Sequence, residues 1–434
     1  MKTPGLEFDV QFVAGERGQP EERATMADVC IRVRGQAITR CENGWARSTG
    51  DRIRVSCHPL ATWIASSWWR LLAEADSTDP SPRAEWCMAH HMAAAGGGFL
   101  WPRVQFLSDG AFIEVIARPS PPSAAEPLRF VGEVRESLPA REVERSFAEF
   151  ISTVVERLHA LDIADSDLQQ VWADIEAERA DPEVRAHRQM EAAMGLDPDT
   201  MGDDLRADVE RLRANLGDHA TNEVAAGGSA AAKRMGAHDY LQDVLHSLAS
   251  RGTRATFDSR LRPIGTRLLP GHPWQQGTEL AQRIRRDMKV GVGPVSTAVL
   301  HEWIGLGRAR TPAATAPGGV LAMARREGAS ATLYCRKNHP QARRFELARF
   351  IGDHLIAPGA EVGLVQSEAT TVRQKVQRAF AAELLAPIGD LQNALAGDYT
   401  RHAIESVAAD FDVSTYVVTS QLVNSRAIPA VDGR

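Results

Sequence analysis

Apolar positions recur along the chain with two different periods. In "DVCIRVRGQAITR" and "DRIRVSC", Val and Ile alternate with polar residues, which predicts half-buried strands. Asn43-Gly44 marks a turn between them. "HPLATWIASSWWRLLAE" switches to helical spacing, with Leu60, Trp63, Ile64, Leu71 and Leu72 on one face and Pro59 in the first turn. "WPRVQFLSDGAFIEVIARP" returns to the strand period as a hairpin turning at Ser108-Asp109-Gly110. Residues 1–120 are therefore expected to form an α+β domain. The proline-rich "RPSPPSAAEPLR" reads as a linker. Beyond it the helical period governs residues 121–265, as in "REVERSFAEFISTVVERLHAL", where Phe147, Phe150, Ile151, Val154, Val155 and Leu158 recur three and four apart. "AAGGSAAAKRMG" is expected to break this helical region.

Residues 266–398 have a different texture. Two helices, "WQQGTELAQRIRRDMKV" and "GPVSTAVLHEWIGL" with Ser296 as N-cap, precede a hairpin, "GGVLAMARREGASATLYCR". A helix over 341–356 follows, then a loop, then "VRQKVQRAFAAELLAP", stopped by Pro387. Residues 399–434 are patterned like a helix-turn-helix, with "IESVAADF" as the first helix, "DVS" as the turn and "TYVVTSQLVN" as the second helix. No repeat of fixed period is present. The fold class predicted is α+β, with an N-terminal α+β domain, a helical middle and a mostly helical C-terminal domain carrying a small hairpin.

Bulk composition changes this picture little. The 434 residues suggest about two to four domains. With 44% hydrophobic and 24% charged residues, the chain resembles an ordinary soluble protein. It has no apolar run of about 18 residues and no N-terminal apolar stretch of the signal-peptide kind, so neither a membrane partner nor export is expected. Five scattered cysteines do not suggest a disulfide framework, and a cytoplasmic location is the simplest expectation. Charge is more informative. Residues 251–434 carry 24 Lys+Arg against 16 Asp+Glu, while the rest carries 26 against 40. A basic back half could meet nucleic acid, an acidic partner, or the acidic front.

Three segments carry a resemblance. "RRFELARFIGDHL" follows the form R-R-F-x-L-A-H-E-x-G-H-x-L; "RAFAAELLAP" follows A-N-x-F-A-A-E-L-L-M-P; "VAADFDVSTYVVTSQLVN" follows L-A-x-x-F-x-V-S-x-x-A-V-x-x-R-L. In these segments and their order the chain is similar to the ImmA/IrrE family of zinc metallopeptidases, over about residues 270–425. The resemblance implies a zincin-like fold for the C-terminal domain. It also places the family's first ligand His on Arg349, its catalytic Glu on Phe350, its second ligand His on Asp353, and its third ligand near Gln374 to Val376, where nothing is acidic. Such chemistry needs two His one turn apart to hold zinc and a Glu to take a proton from the metal-bound water. Arg does not ligate metal and Phe is no base. No metal cofactor is therefore expected. Arg349 and Asp353, four apart on one helix face, are expected to pair across the former metal position, with Arg378, where the family has Asn, joining them.

Other candidates compete with blander readings. "HEWIG" at 301–305 is half a zinc motif, with Gly305 where the second His would be. Asp353 with His354 could start a different site, but neighbours on a helix point about 100° apart. Cys57, His58, Cys87 and His90 have zinc-knuckle spacing, although Cys57 ends an apolar strand and Cys87 follows Trp86, so core packing is the simpler account. The tryptophans at 63, 68, 69, 86 and 101 suit a core better than a base-stacking surface. In the last helix Thr415, Tyr416, Thr419, Asn424 and Arg426 would face DNA, but Glu405, Asp410 and Asp412 oppose phosphate contact. Arg343, Arg344, Lys375 and Arg426, with the runs "RIRRDMK" and "CRKNHPQARR", are the electrostatic candidates for nucleic acid or a partner. Family members act on helix-turn-helix repressors in stress, mobile-element or phage-linked circuits, so the resemblance implies a catalytically inactive regulatory protein acting through a protein partner. The alternatives are an enzyme with its site in the N-terminal domain, near His90 and His91, and a DNA-binding regulator.

Overall fold

The computed structural model describes residues 5–75, 84–121, 128–264, 271–306, 320–328, 330–357 and 359–429. The chain divides into two compact units, Met1–Thr200 and Met201–Arg434.

The first unit runs β1 (Leu6–Phe12), α1 (Pro20–Ala24), β2 (Met26–Val33), β3 (Gln36–Ala37), β4 (Cys41–Asn43), β5 (Ser48–Gly50), β6 (Ile53–Ser56), α2 (Cys57–Ser66), α3 (Trp68–Ala73) and α4 (Ala84–His90). It continues with β7 (Arg103–Ser108), β8 (Phe112–Arg118), β9 (Leu128–Phe130), β10 (Val134–Pro139), α5 (Ala140–His159), α6 (Asp167–Ala180) and α7 (Pro182–Ala193). Three antiparallel sheets result: β1-β2-β3 with β6 also on β2, β10-β8-β7, and β5-β4-β9. The amphipathic α5 lays Phe147, Phe150, Ile151, Val154 and Leu158 into one core with α2 and the strands. The single helix expected at 58–74 is two, interrupted at Ser67. The break re-aims Trp68 edge-on against Trp172, and Trp69 Nε1 donates to Glu178 Oε2 at 2.6 Å. Trp63, Trp68, Trp69 and Trp101 are buried, as core packing predicts.

The expected linker does not end the unit. Residues 122–127 lie outside the described residues, but β9 immediately after them pairs with β4, and β10 completes the β7–β8 sheet. The helical stretch 121–265 is accordingly shared: α5–α7 belong to the first unit, and its later helices to the second.

The second unit runs α8 (Asp203–Leu216), α9 (Asp218–Met235), α10 (Ala237–Ala249), β11 (Thr253–Thr256), α11 (Pro273–Asp287), α12 (Thr297–Ile304), β12 (Val320–Glu327), β13 (Ser330–Cys335), α13 (Pro340–Ile356), β14 (Gly363–Ser367), α14 (Val372–Leu385), α15 (Ile388–Leu395), α16 (Arg401–Asp410) and α17 (Thr415–Asn424). The expected hairpin is the centre of an antiparallel four-stranded sheet, β11-β13-β12-β14. Ala322, Ala324, Leu333 and Leu364 enter a core with α11–α14. On the other side Tyr334 Oη donates to Leu248 O at the end of α10, and Gly363 lies against Leu216 and Ala220. The break expected at "AAGGSAAAKRMG" comes only at its last residue, Gly236. α9 runs to Met235, and a Cβ at Gly228 would meet the Tyr240 ring at 2.1 Å, so that glycine serves helix packing. Among the described residues no helix is long and apolar enough to cross a membrane.

Candidate functional site

Helix α13 is buried nearly all round. Glu346, Arg349, Phe350, Asp353 and His354 are all buried, so charged groups run through a core. Buried charges need partners, and most of theirs come from α14. Thr371 caps α14, accepting from Gln374 N at 3.2 Å, and the first two turns then project Arg373, Gln374, Gln377 and Arg378.

The expected pairing of Arg349 with Asp353 is not what forms. Arg349 Nη2 donates to Gln377 Oε1 at 3.1 Å, to Ser367 O at 3.3 Å and to Gln374 Oε1. Gln374 in turn donates through Nε2 to Glu223 Oε2 at 2.8 Å and Val365 O at 2.9 Å, and Gln377 Nε2 donates to Val365 O at 3.0 Å. One guanidinium end is thus held by three oxygens, and the amides that supply two of them are themselves fixed.

Asp353 instead takes Arg373, whose Nε and Nη2 donate at 2.6 and 3.0 Å, and it also accepts from Val365 N at 3.1 Å. This bidentate fork explains the correction: a carboxylate gains more from two parallel N–H donors on a facing helix than from one arginine on its own helix. Arg378 does not join either. Its Nη1 donates to Ala369 O at 3.0 Å. Burial, then the neighbouring Arg378, push Arg349 down to about 9, against the pull of Asp353, Glu346 and Glu223. For Arg373 burial acts downward but Asp353 prevails, and its pKa is raised.

Glu346 is the weak point of this network. Neither carboxylate oxygen has a hydrogen-bond partner among the described residues, nor do Arg349 Nε and Gln366 Oε1. Gln366 Nε2 donates to Glu346 O at 2.8 Å. Burial pushes the Glu346 carboxyl up to about 7, although Lys337, Arg349 and Arg343 pull it down. Phe350 is fully buried in the main core. His354 turns away from Asp353: it stacks on Phe257 at 4.0 Å and its Nε2 meets Leu261 O at 3.0 Å. Burial and Arg326 lower it to about 4.

Of the surface candidates, Arg344 is misplaced by the sequence. It is 2% exposed and clamps Asp412 Oδ2 at 2.9 Å and Val295 O, tying α13 to the turn before α17. A basic residue beside Arg343 reads as surface; only the tertiary fold shows it as internal. Arg343 and Lys375 are half-buried and Arg426 is exposed. α16 and α17 form where expected, and Val417, Val418 and Leu422 bury one face of α17 while Gln421 Nε2 donates to Glu383 Oε2 at 2.9 Å. Thr415, Tyr416 and Asn424 are exposed and Thr419 is half-buried.

The N-terminal zinc candidates do not assemble. Cys57 is buried and its thiol is pushed up to about 12 by burial. His90 is buried with Nδ1 at 3.1 Å from Phe106 O and Nε2 at 3.1 Å from Glu74 Oε2. Both ring nitrogens are engaged inside the core. His58 is half-buried in the first turn of α2 and Cys87 half-buried in α4. Glu74 also accepts from Arg70 Nε at 2.7 Å; burial would raise it, but His90 and Arg70 hold it down to about 2. Among the described residues no group of three or more His, Cys, Asp or Glu is placed to hold a metal ion.

Sequence reading missed Arg373, Gln377, Glu223 and Glu346. Polar residues at 373, 374, 377 and 378, recurring three and four apart, were the available signal for the first two. Glu223 lies 151 positions from Gln374 and had none. No protein-family model, no curated protein and no solved structure matches the chain.

Proposed function

We propose that this chain is a catalytically inactive, ImmA/IrrE-like binding protein that acts through a protein partner, with a zincin-like second unit that lacks a metal site. The observation that carries this reading is the end of Arg349 held by Gln374, Gln377 and Ser367 O. It is a cation fixed among three oxygens at the position where the resemblance puts a metal ligand. A divalent ion asks for lone pairs from its ligands, whereas a guanidinium offers only protons. Gln374, near the third ligand position of that resemblance, is a neutral amide, matched to an arginine rather than to zinc. The base position is Phe350, buried in the core.

The partner proposed is a helix-turn-helix regulator, in a stress, mobile-element or phage-defence circuit. Direct DNA binding is the weaker reading, because α17 itself carries no basic residue and only Arg426, just past its end, is offered to phosphates. An enzyme centred on His90 is weaker still, since both of its nitrogens are engaged.

Elemental mass spectrometry of protein purified without chelator is the first test. Below about 0.1 zinc per chain is expected, and a value near one overturns the reading. The second test titrates purified helix-turn-helix repressors. Complex formation by sedimentation with the repressor intact by mass spectrometry supports the proposal; a cleaved repressor defeats it.

A further inference from the structure

The first unit has an open sheet edge with a groove beside it. β1 pairs with β2 along all seven residues, and among the described residues no strand pairs with its other side. Gly5 O accepts from Arg34 N and Val13 N donates to Met26 O, which fixes the phase of the ladder. The N–H and C=O groups of Leu6, Phe8, Val10 and Phe12 therefore point away from β2. Leu6 O is met by the Ser146 hydroxyl of α5 at 2.8 Å. Phe8 and Val10 have no such partner among the described residues.

A groove of about 560 Å³ runs along this edge, between β1 and α5. Phe8 stacks on Phe150 with ring centroids 4.5 Å apart, yet Phe8 and Val10 stay only half-buried, and Phe12 carries the Arg157 guanidinium 5.1 Å from its ring centre. β1 carries no proline, no lysine and no bulge, and its own charges, Glu7 and Asp9, are both acidic. The groove's charge is acidic. Glu142 and Glu149 line it against a single Arg145, which reaches Glu149 only at 3.9 Å with both side chains exposed. A second copy of the chain paired edge to edge would set these carboxylates against their own kind.

We propose that the outer edge of β1 is a docking site for an extended, basic segment of a partner protein. The segment adds as a strand to β1, lays apolar side chains against Phe8 and Phe150, and on that same face presents Lys or Arg to Glu142 and Glu149. Main-chain hydrogen bonds then supply affinity and the carboxylates supply selectivity.

The test uses the full chain and a fluorescein-labelled peptide of the repeat Val-Thr-Lys-Thr, which puts Val and Lys on one strand face, with a Val-Thr-Glu-Thr peptide as its charge-swapped control. Anisotropy is expected to show saturable binding of the first peptide only, and hydrogen exchange of residues 6–12 is expected to slow when it binds. Glu142→Lys with Glu149→Lys is expected to weaken binding about tenfold, while Glu176→Lys, on the exposed side of α6, leaves it unchanged. Val10→Pro, which removes an outward N–H, is expected to abolish the exchange effect; the charge-reversed variant keeps the test alive if the proline variant does not fold. Equal binding of both peptides, binding indifferent to the glutamate reversal, or slowed exchange elsewhere overturns the proposal. A concentration-dependent dimer by sedimentation that protects residues 6–12 overturns it too, in favour of a second copy.

Discussion

Arg349 and Asp353 stand one helical turn apart and answer to different partners. Asp353→Asn leaves Arg373 buried beside a weaker acceptor, and urea denaturation is expected to show a loss of about 3 kcal/mol. A double-mutant cycle between Asp353 and Arg373 is expected to give a coupling above about 1 kcal/mol, and one between Arg349 and Asp353 a value near zero; the reverse would restore the simpler pairing read from spacing. Glu346 carries a different signature. Its folded pKa, about 7, lies above its ordinary 4.5, so the folded chain holds a proton there that the unfolded chain releases first. Stability from this group is complete below about pH 4.5 and is lost as pH rises through about 7. Glu346→Gln is expected to be more stable than the parent by about 2–3 kcal/mol at pH 8 and nearly equal to it at pH 4, read from urea midpoints at both. At this scale the sequence disclosed which positions of α13 were unusual, because charge stood where an apolar face was due. It did not disclose the partners, because Arg373 and Glu223 reach the site from other elements.

Elements meet closely where glycine allows it. A Cβ at Gly277 of α11 would lie 2.5 Å from Val376 O and 2.7 Å from Ala379 Cβ, so α11 and α14 touch backbone to backbone. Gly277→Ala is expected to cost about 2–3 kcal/mol by forcing these helices apart, seen as a lowered denaturant midpoint without a change of slope. Gly352 does the same for α13, where a Cβ would come within 2.7 Å of the Phe380 ring. The helices α11 to α14 and α17 were readable because each repeats its apolar residues over two or more turns. β9, β11 and β14 were not, because three to five residues show no period and each gains its stability from a strand far away in sequence.

Across the whole chain, each unit has its own hydrophobic cluster, one drawn from residues 6–192 and the other from 255–422. Charge follows the same division: residues 1–200 hold 21 basic and 32 acidic residues, and 201–434 hold 29 and 24. Two calorimetric transitions are expected, with residues 1–200 expressed alone reproducing one of them; a single transition lost on truncation would mean that the clusters fold as one. The proline-rich segment drew the sequence boundary too early, because β9 and β10 on its far side pair back onto β4 and β8. The arginine at the centre of the second unit has one further consequence. An ion in a protein has an off-rate and can be stripped by a chelator or starved from the medium. The cation that Gln374 and Gln377 hold is covalently part of α13 and has no off-rate at all. Only separating α13 from α14 can vacate the position, so its occupancy is set by the folding equilibrium and is indifferent to what the surroundings supply.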